Sequence, residues 1–199
     1  MRLIIFIMIC LGFSCSQDKK PIKGDTPFQK KMNAEFKDAT TSPLKKKDLK
    51  NFDGLEFFEF DSTYVVRAEL KRTPDSEWFK MKMTDGDVSL ERVYGILDFT
   101  LRNKKYNLKV YQGKELMNQS GWEDYLFLPF LDETNGLTTY GGGRYIDLKI
   151  PESTTIKIDF NTAYNPLCAY NEKYSCPIVP RDNYLNTEIK AGVKAFEKS

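Results

Sequence analysis

From Gly54 onward, hydrophobic and polar residues alternate along much of the chain with a period of two. Ile146, Leu148 and Ile150, for example, are separated by single charged residues. This spacing is typical of a β-strand that buries one face and exposes the other to solvent. Segments of this kind, rich in aromatic and β-branched residues and bounded by turn residues, predict eight strands. Their predicted bounds are 56–60, 64–71, 78–83, 88–100, 106–112, 125–131, 144–150 and 155–161.

The part of the chain before this β-rich region has a helical pattern instead. Phe28, Met32 and Phe36 are four residues apart, which predicts a helix over residues 28–36 with one apolar face. A second, short helical turn is predicted over residues 45–50. Because helical stretches between the strands are few, we expect a mainly β fold. The expected architecture is an antiparallel sandwich, roll or partly open barrel with an N-terminal helix packed on it.

The first fifteen residues have the pattern of an export signal. Arg2 precedes an apolar run over residues 3–13, which ends at Ser14 and Cys15. A run of about eleven apolar residues is shorter than the roughly twenty that a membrane-spanning helix needs. A small residue directly before a cysteine at this place is the arrangement of a lipoprotein leader, so Cys15 is the predicted lipid attachment site. An ordinary signal peptide with an incidental cysteine is the alternative.

These patterns divide the chain into three parts. We expect a signal peptide over residues 1–14, a lipidated and polar tether over residues 15–27, and a single β-rich domain over residues 28–199. The expected location is the bacterial cell envelope. There the protein would be bound to the membrane through its N-terminal lipid anchor, at the outer membrane, facing the periplasm or the cell surface.

Charge and composition exclude several function classes. The chain has 30 Lys and Arg residues against 28 Asp and Glu residues, and removing residues 1–14 takes away only Arg2. A nearly neutral domain has no basic excess for nucleic acid, so no nucleic-acid partner is expected. Because the chain has no histidine, Ser-His-Asp and Cys-His nucleophile activation, His-ligated zinc and imidazole base chemistry are excluded. No dinucleotide or phosphate-loop motif occurs, and we expect no cofactor.

With Cys10 removed in the leader and Cys15 lipidated, two cysteines are left as a pair, Cys168 and Cys176. An even number of cysteines in an oxidising compartment predicts one disulfide between them. The alternative is half of a metal site, which would need two further ligands in a chain without histidine. We therefore expect a disulfide and no metal.

The C-terminal third of the chain concentrates polar and aromatic residues around a run of three glycines. If the two predicted strands on either side of residue 152 form a hairpin, these side chains converge on one surface that suits a polar ligand. The alternative is that they only make structural hydrogen bonds. The candidate ligand-binding residues are Asp132, Tyr140, Arg144, Asp159, Asn161, Tyr164 and Asn165.

Two classes of function are compatible with this surface. The first, which we favour, is a non-enzymatic envelope lipoprotein whose domain binds a partner protein or a small polar, glycan or peptide ligand. The alternative is a carboxylate-dependent hydrolase that acts on an envelope or glycan substrate, with Asp132 or Glu133 opposed to Asp159.

Several motifs in a fixed order resemble a known family. They are Ser42-Pro43-Leu44, Phe52-x-Gly54-Leu55, Pro129-Phe130-x-Asp132, Thr139-Tyr140-x-x-Gly143-Arg144-Tyr145, Asp159-Phe160-Asn161, Ala163-Tyr164-Asn165-Pro166-x-Cys168, Cys176-Pro177 and Asn183-x-Leu185. Together they resemble the bacterial family called domain of unknown function 1684, over residues 28–194. The resemblance implies one domain, with a lipoprotein leader in the members of the cell envelope, and it implies no activity.

Overall fold

A computed structural model of the protein describes residues 23–197, and its centre is one eight-stranded sheet. The strands are β1 (Val65–Arg72), β2 (Phe79–Lys82), β3 (Val88–Leu101), β4 (Lys104–Gly113), β5 (Tyr125–Asp132), β6 (Arg144–Lys149), β7 (Thr155–Asp159) and β8 (Tyr184–Leu185). Their order is β6-β5-β4-β3-β1-β7, with β2 paired to β3 and β8 paired to β5. The pairs are antiparallel except for β5 and β8.

The sheet curls until its two edges approach each other. β6 and β7 lie at opposite ends of the strand order although they follow one another in the chain. Tyr145 of β6 also pairs with Tyr164, which comes shortly after β7. Each of the two residues donates its backbone N–H to the carbonyl of the other, with N to O distances of 2.9 and 3.0 Å. The expected mainly β fold is therefore confirmed, and its form is a partly open barrel.

Seven of the eight predicted strands are present, and one is wrong. Residues 56–60 make only an isolated bridge, between Phe57 and Val193, because they lie extended along the C-terminal segment and not in the sheet. The sequence analysis missed β8, because two residues are too few to show a period of two.

The N-terminal helix α1 (Pro27–Lys37) is present and packs on the domain, as expected. Thr26 is its N-cap and forms a capping box with Gln29, which explains why the helix begins at this point. Met32 and Phe36 are buried on its inner face. The second predicted helical turn is α2 (Lys46–Lys50).

The described part of the predicted tether is fastened to the domain. The Asn33 side chain donates a hydrogen bond to the Lys23 carbonyl at 2.9 Å, and the Lys23 ammonium pairs with Asp53. The predicted signal peptide, Cys15 and the first part of the tether lie outside the described residues. Among residues 23–197, no helix combines the length and the apolar character needed to span a bilayer.

Apolar residues cover both faces of the sheet. The inner face carries the main core, which includes Leu97, Leu108, Leu126, Leu128 and Ile146. The opposite face carries a smaller group, here called the outer cluster, which consists of Met81, Tyr111, Phe127, Tyr145 and Val179. Helix α1 and the segment after β7 have a third group of their own, which extends to Tyr164 beside the outer cluster.

A β-bulge in β3 decides which face its side chains occupy. Val93 pairs with Tyr111 of β4, whereas Gly95 pairs with Val110, so Tyr94 is an extra residue in β3. One extra residue reverses the alternation. Side chains on the C-terminal side of the bulge, such as Leu97, therefore enter the main core, whereas odd-numbered residues before it face the outer cluster.

The side chain of Asn183 joins β4 to β5 where their ladder is interrupted. The two strands pair at Tyr111 and Phe127, and Pro129 has no N–H to continue the ladder. The Asn183 amide instead donates to the carbonyls of Pro129 and Lys109, at 2.7 Å each, and accepts from the Lys109 N–H at 2.9 Å. One buried side chain thus replaces several backbone hydrogen bonds.

Candidate functional site

Arg144 and Asp132 form a buried ion pair inside the main core. Both side chains are 0% exposed, and the Arg144 Nη2 atom is 2.8 Å from Asp132 Oδ2. Arg144 also donates to the carbonyls of Ile189 and Ala191, while Asp132 Oδ1 accepts from Thr134 and from the Ile189 N–H. The predicted ligand-binding role of Asp132 and Arg144 is therefore corrected: the pair ties the C-terminal segment to the sheet.

The glycine before Arg144 lets this arrangement form. Gly143 has a positive φ of 89°, and a Cβ there would come within 2.7 Å of the Phe130 carbonyl and of Val179. Any larger residue would push β6 away from β5. The three-glycine run is thus a close-packed turn into β6.

Asp159 and Asn161 also have structural roles. Asp159 Oδ1 accepts from the Asn161 N–H at 3.1 Å and caps the 3₁₀ turn Phe160–Thr162. The Asn161 side chain exchanges two hydrogen bonds with the backbone of Asp61, at 2.9 and 3.0 Å. Because these groups bind each other and a neighbouring loop, they are not arranged as a ligand surface.

The remaining three predicted residues separate from one another. Asn165 is buried and donates to the Lys194 carbonyl at 2.9 Å. Tyr140 packs beside Cys168, against the apolar group that α1 shares with the segment after β7. Burial raises the pKa of the Tyr140 hydroxyl. Only Tyr164 of the seven lines the cavity that the described residues form beneath α1. The expected convergence on one surface is therefore wrong.

The predicted disulfide is also wrong in this structure, since Cys168 and Cys176 are free thiols. Their loop is held in another way. The Cys168 N–H donates to Cys176 Sγ at 3.1 Å, and the backbone of Cys176 exchanges hydrogen bonds with Thr84 at 3.0 and 3.1 Å. Burial raises the pKa of the Cys176 thiol to about 12, which keeps it neutral.

That cavity lies between α1 and the outer face of the sheet, and its volume is about 530 Å³. This volume is within the range of small-molecule sites. Its floor is formed by β3, β4, β5 and β6, and its roof by α1 and residues 166–177. Six rings line it: Phe28, Phe36, Tyr125, Phe127, Tyr145 and Tyr164.

One end of the cavity has a tyrosine–carboxylate cluster. The hydroxyls of Tyr125 and Tyr164 both donate to Asp147 Oδ1, at 2.8 and 2.5 Å. Burial and then the charge of Asp147 raise the pKa of Tyr125, so this hydroxyl keeps its proton. Asp147 lies on β6 directly opposite Phe127 of β5, which places it on the cavity face of the sheet.

Glu91 of β3 is a buried carboxylate on the wall of the cavity. Its side chain is only 9% exposed, and among the described residues its Oε2 atom has no hydrogen-bond partner. Burial raises the pKa of its carboxyl from 4.5 to about 7, and the nearby Ser89 hydroxyl offsets only part of that effect. A second cavity of about 220 Å³ adjoins the first at Glu91 and Gly113, which line both. Glu91 therefore lies between the two cavities, and its Oε2 atom is an acceptor without a donor among the described residues.

The carboxylates named as possible hydrolase residues do not face one another across this cavity. Asp132 is paired with Arg144, Glu133 accepts from the Tyr184 hydroxyl, and Asp159 caps a turn. Within residues 23–197, no three cysteine or acidic side chains are grouped so as to hold a metal ion.

Sequence reasoning missed Glu91, Tyr125 and Asp147 as site residues. A glutamate at an odd-numbered position of β3, in step with Leu97 and Phe99, was the available signal. Such a residue would be buried in the core of a regular strand, so its presence indicates either a bulge or a functional carboxylate.

Comparison with known proteins identifies the family of this chain. Residues 50–194 of the chain match the sequence model of a family described as "protein of unknown function (DUF1684)". The chain belongs to the DUF1684 family. That span contains most of the floor of the cavity, including Glu91, Gly113, Phe127 and Asp147.

A solved structure has a similar fold. An uncharacterised protein of Haloarcula marismortui, determined in solution by NMR, is 30% identical to this chain with a TM-score of 0.65. The match covers 83% of this chain and 89% of that chain. A comparison with curated proteins finds no match.

Proposed function

We propose that this DUF1684 protein is a cell-envelope lipoprotein whose domain binds a small ligand in the cavity between α1 and the sheet. The observation that carries the proposal is Glu91, a buried carboxylate with an unpartnered oxygen on the cavity wall. A buried polar group without a partner costs about 1–3 kcal/mol of stability. A ligand that supplies the missing hydrogen bond would remove that cost.

The lining of the cavity supports binding of a small molecule with an apolar body. Phe127 and Tyr145 pack edge to face with ring centroids 4.7 Å apart, and Tyr145 contacts Tyr164 in the same way at 5.9 Å. The Tyr145 hydroxyl is tied to the Pro177 carbonyl, which holds its ring in place. Rigid rings with a few polar atoms among them are typical of a preformed binding site.

The support for a lipid anchor comes from the sequence. The apolar run over residues 3–13 ends at Ser14 and Cys15, and the polar residues that follow lead directly to the folded domain at Lys23. In the proposed arrangement, the domain is held at the outer membrane by acyl chains on Cys15. Its cavity would then take ligands from the envelope space.

Ligand binding is tested with a thermal-shift screen of small metabolites on the purified full-length protein. A compound that binds only the native state raises the melting temperature. Leu167 lines the cavity and is partly exposed, so Leu167→Trp is expected to fill the cavity and abolish the shift. Leu137→Trp changes an exposed leucine that does not line the cavity, and it should keep the shift. Shifts that survive in Leu167→Trp would contradict the proposed site.

The anchor is tested separately by mass spectrometry of the membrane fraction. Cys15→Ser is expected to remove the acyl chains and release the protein from the membrane. Cys10→Ser changes the other cysteine of the leader and should leave acylation intact. Acyl chains on the Cys15→Ser protein would show that the anchor assignment is wrong.

A further inference from the structure

Glu91 has an unpaired acceptor, and the described part of the chain supplies no cation to it. Its carboxylate takes part in no ion pair among residues 23–197, and the nearest influence on it besides burial is the Ser89 hydroxyl. The Ser89 hydroxyl lies on the same face of β3 and can donate one hydrogen bond to the Glu91 carboxylate. One hydroxyl donor does not satisfy both carboxylate oxygens, so Glu91 Oε2 is an acceptor without a donor among the described residues.

The other charges around the cavity are also mainly negative. Asp147 and Glu35 are the other carboxylates of its lining, and Lys31 is its one basic residue among those described. The Lys31 Nζ atom is 3.9 Å from Glu35 Oε1 on the exposed side of α1, so the charges of these two side chains offset each other. The potential inside the cavity is therefore set by Glu91 and Asp147, and it favours a positive group.

The rings of the cavity favour the same kind of group. Aromatic faces attract cations through their quadrupole, and the attraction is stronger away from water. Tyr125 and Tyr164 present their hydroxyls to Asp147, which leaves the ring systems of Phe127 and Tyr145 to contact the ligand. A carboxylate beside aromatic rings is an arrangement that suits an ammonium group on an apolar body.

We propose that the ligand of this cavity is a cationic amine, with its ammonium group bound by Glu91 and its apolar body packed against Phe127 and Tyr145. This inference rests on the proposed function, because it names the chemical class of the ligand for the same site. Gly113 contributes by leaving space for the Glu91 carboxylate between β3 and β4.

Three probes of similar size and different charge test the ligand class on the full-length protein. They are phenethylamine, the neutral 2-phenylethanol and the anionic 3-phenylpropanoate, each measured by calorimetry and by thermal shift at neutral pH. We expect phenethylamine to bind at least about tenfold more tightly than the other two, a difference of about 1.4 kcal/mol. Glu91→Gln, which keeps the shape of the side chain and removes its charge, should abolish that preference.

Matched variants separate this inference from the proposed function. Glu69→Gln removes the charge of an exposed glutamate on β1 and should preserve the preference for the amine. Equal or tighter binding of the neutral or anionic probe, or an amine preference that survives Glu91→Gln, would overturn the ligand class and leave the cavity a binding site. If the amine does not bind and the metabolite screen yields no shift that Leu167→Trp removes, both proposals are wrong.

Discussion

Glu91 of β3 lies directly opposite Gly113 of β4, and the absence of a side chain at Gly113 makes room for its carboxylate. A Cβ atom at Gly113 would be 3.1 Å from Glu91 Oε1 and 3.3 Å from Oε2. These distances are shorter than ordinary van der Waals contacts. The position of the buried carboxylate thus depends on a residue of the neighbouring strand.

Gly113→Ala is expected to displace the Glu91 carboxylate and weaken ligand binding at the cavity. Because the contact is with the end of a flexible side chain, the free energy of unfolding should change by less than about 1 kcal/mol. Calorimetry with a compound from the screen, together with urea unfolding, measures the two effects. Gly141→Ala is the control, since its Cβ would only reach ordinary contact distance, 3.7 Å from Gly136. Equal affinity in both variants would contradict the role given to Gly113.

Glu91 is expected to make stability depend on pH. In the unfolded chain its carboxyl loses a proton near 4.5, whereas in the folded protein it keeps the proton up to about 7. The folded state therefore binds more protons between these values, so the contribution of Glu91 to stability falls as pH rises from about 4.5 through 7. The full loss, present above pH 7, is up to about 3 kcal/mol.

The measurement compares the free energies of urea unfolding of the wild type and Glu91→Gln from pH 5 to about pH 8. The stability of Glu91→Gln relative to the wild type should rise with pH, and other titrating groups cancel in the difference. The neighbouring groups that also face the cavity, Asp147, Tyr125, Lys31 and Glu35, are present in both proteins. A flat difference for Glu91→Gln would show that its carboxyl titrates normally.

Arg144→Ala is expected to destabilise the fold strongly. The substitution strands the Asp132 carboxylate in the core, and breaking a buried ion pair in this way costs about 3–5 kcal/mol. Lys149→Ala, which breaks the exposed pair between Lys149 and Asp124, should change stability little. Urea unfolding distinguishes the two variants. If Arg144→Ala is stable and instead loses ligand binding, Arg144 belongs to the binding site after all.

Asn183→Ala is expected to loosen the junction between β4 and β5. It leaves buried backbone groups of Lys109 and Pro129 without partners, at a cost of about 1–3 kcal/mol for each stranded group. Hydrogen exchange of the Lys109 amide should become faster, since the Asn183 side chain is its acceptor. Asn118→Ala removes an exposed asparagine that bonds only a nearby carbonyl, and it serves as the control. Unchanged exchange at Lys109 would contradict this role.

The period of two predicted most of the sheet, and it also indicated that the Arg144 side chain faces the core. Arg144 shares a face of β6 with Ile146 and Leu148, and Asp132 shares a face of β5 with Phe130. Polar side chains on those faces point into the main core, where they need each other. The sequence analysis instead gave more weight to residue type, which suggested a ligand surface.

Glu91 could not be placed by the same counting. The bulge at Tyr94 reverses the alternation within a single strand, and a glutamate at position 91 fits either a bulge or a functional carboxylate, so the sequence does not decide between them. The pairing of β3 with β4 has to be known first, because a bulge is a relation between two strands. The cavity itself could not be predicted for a similar reason. Its roof includes α1, which is distant in the sequence from the strands that form its floor.

The backbone pairing of Tyr145 with Tyr164 has a consequence for self-association. β6 is an edge strand, and its alternating apolar residues would make a free edge a template on which another chain could add a strand. The segment after β7 occupies the beginning of that edge with two hydrogen bonds. We therefore expect the folded domain to resist polymerisation through this edge, including at the high local concentration that the proposed lipid anchor would produce.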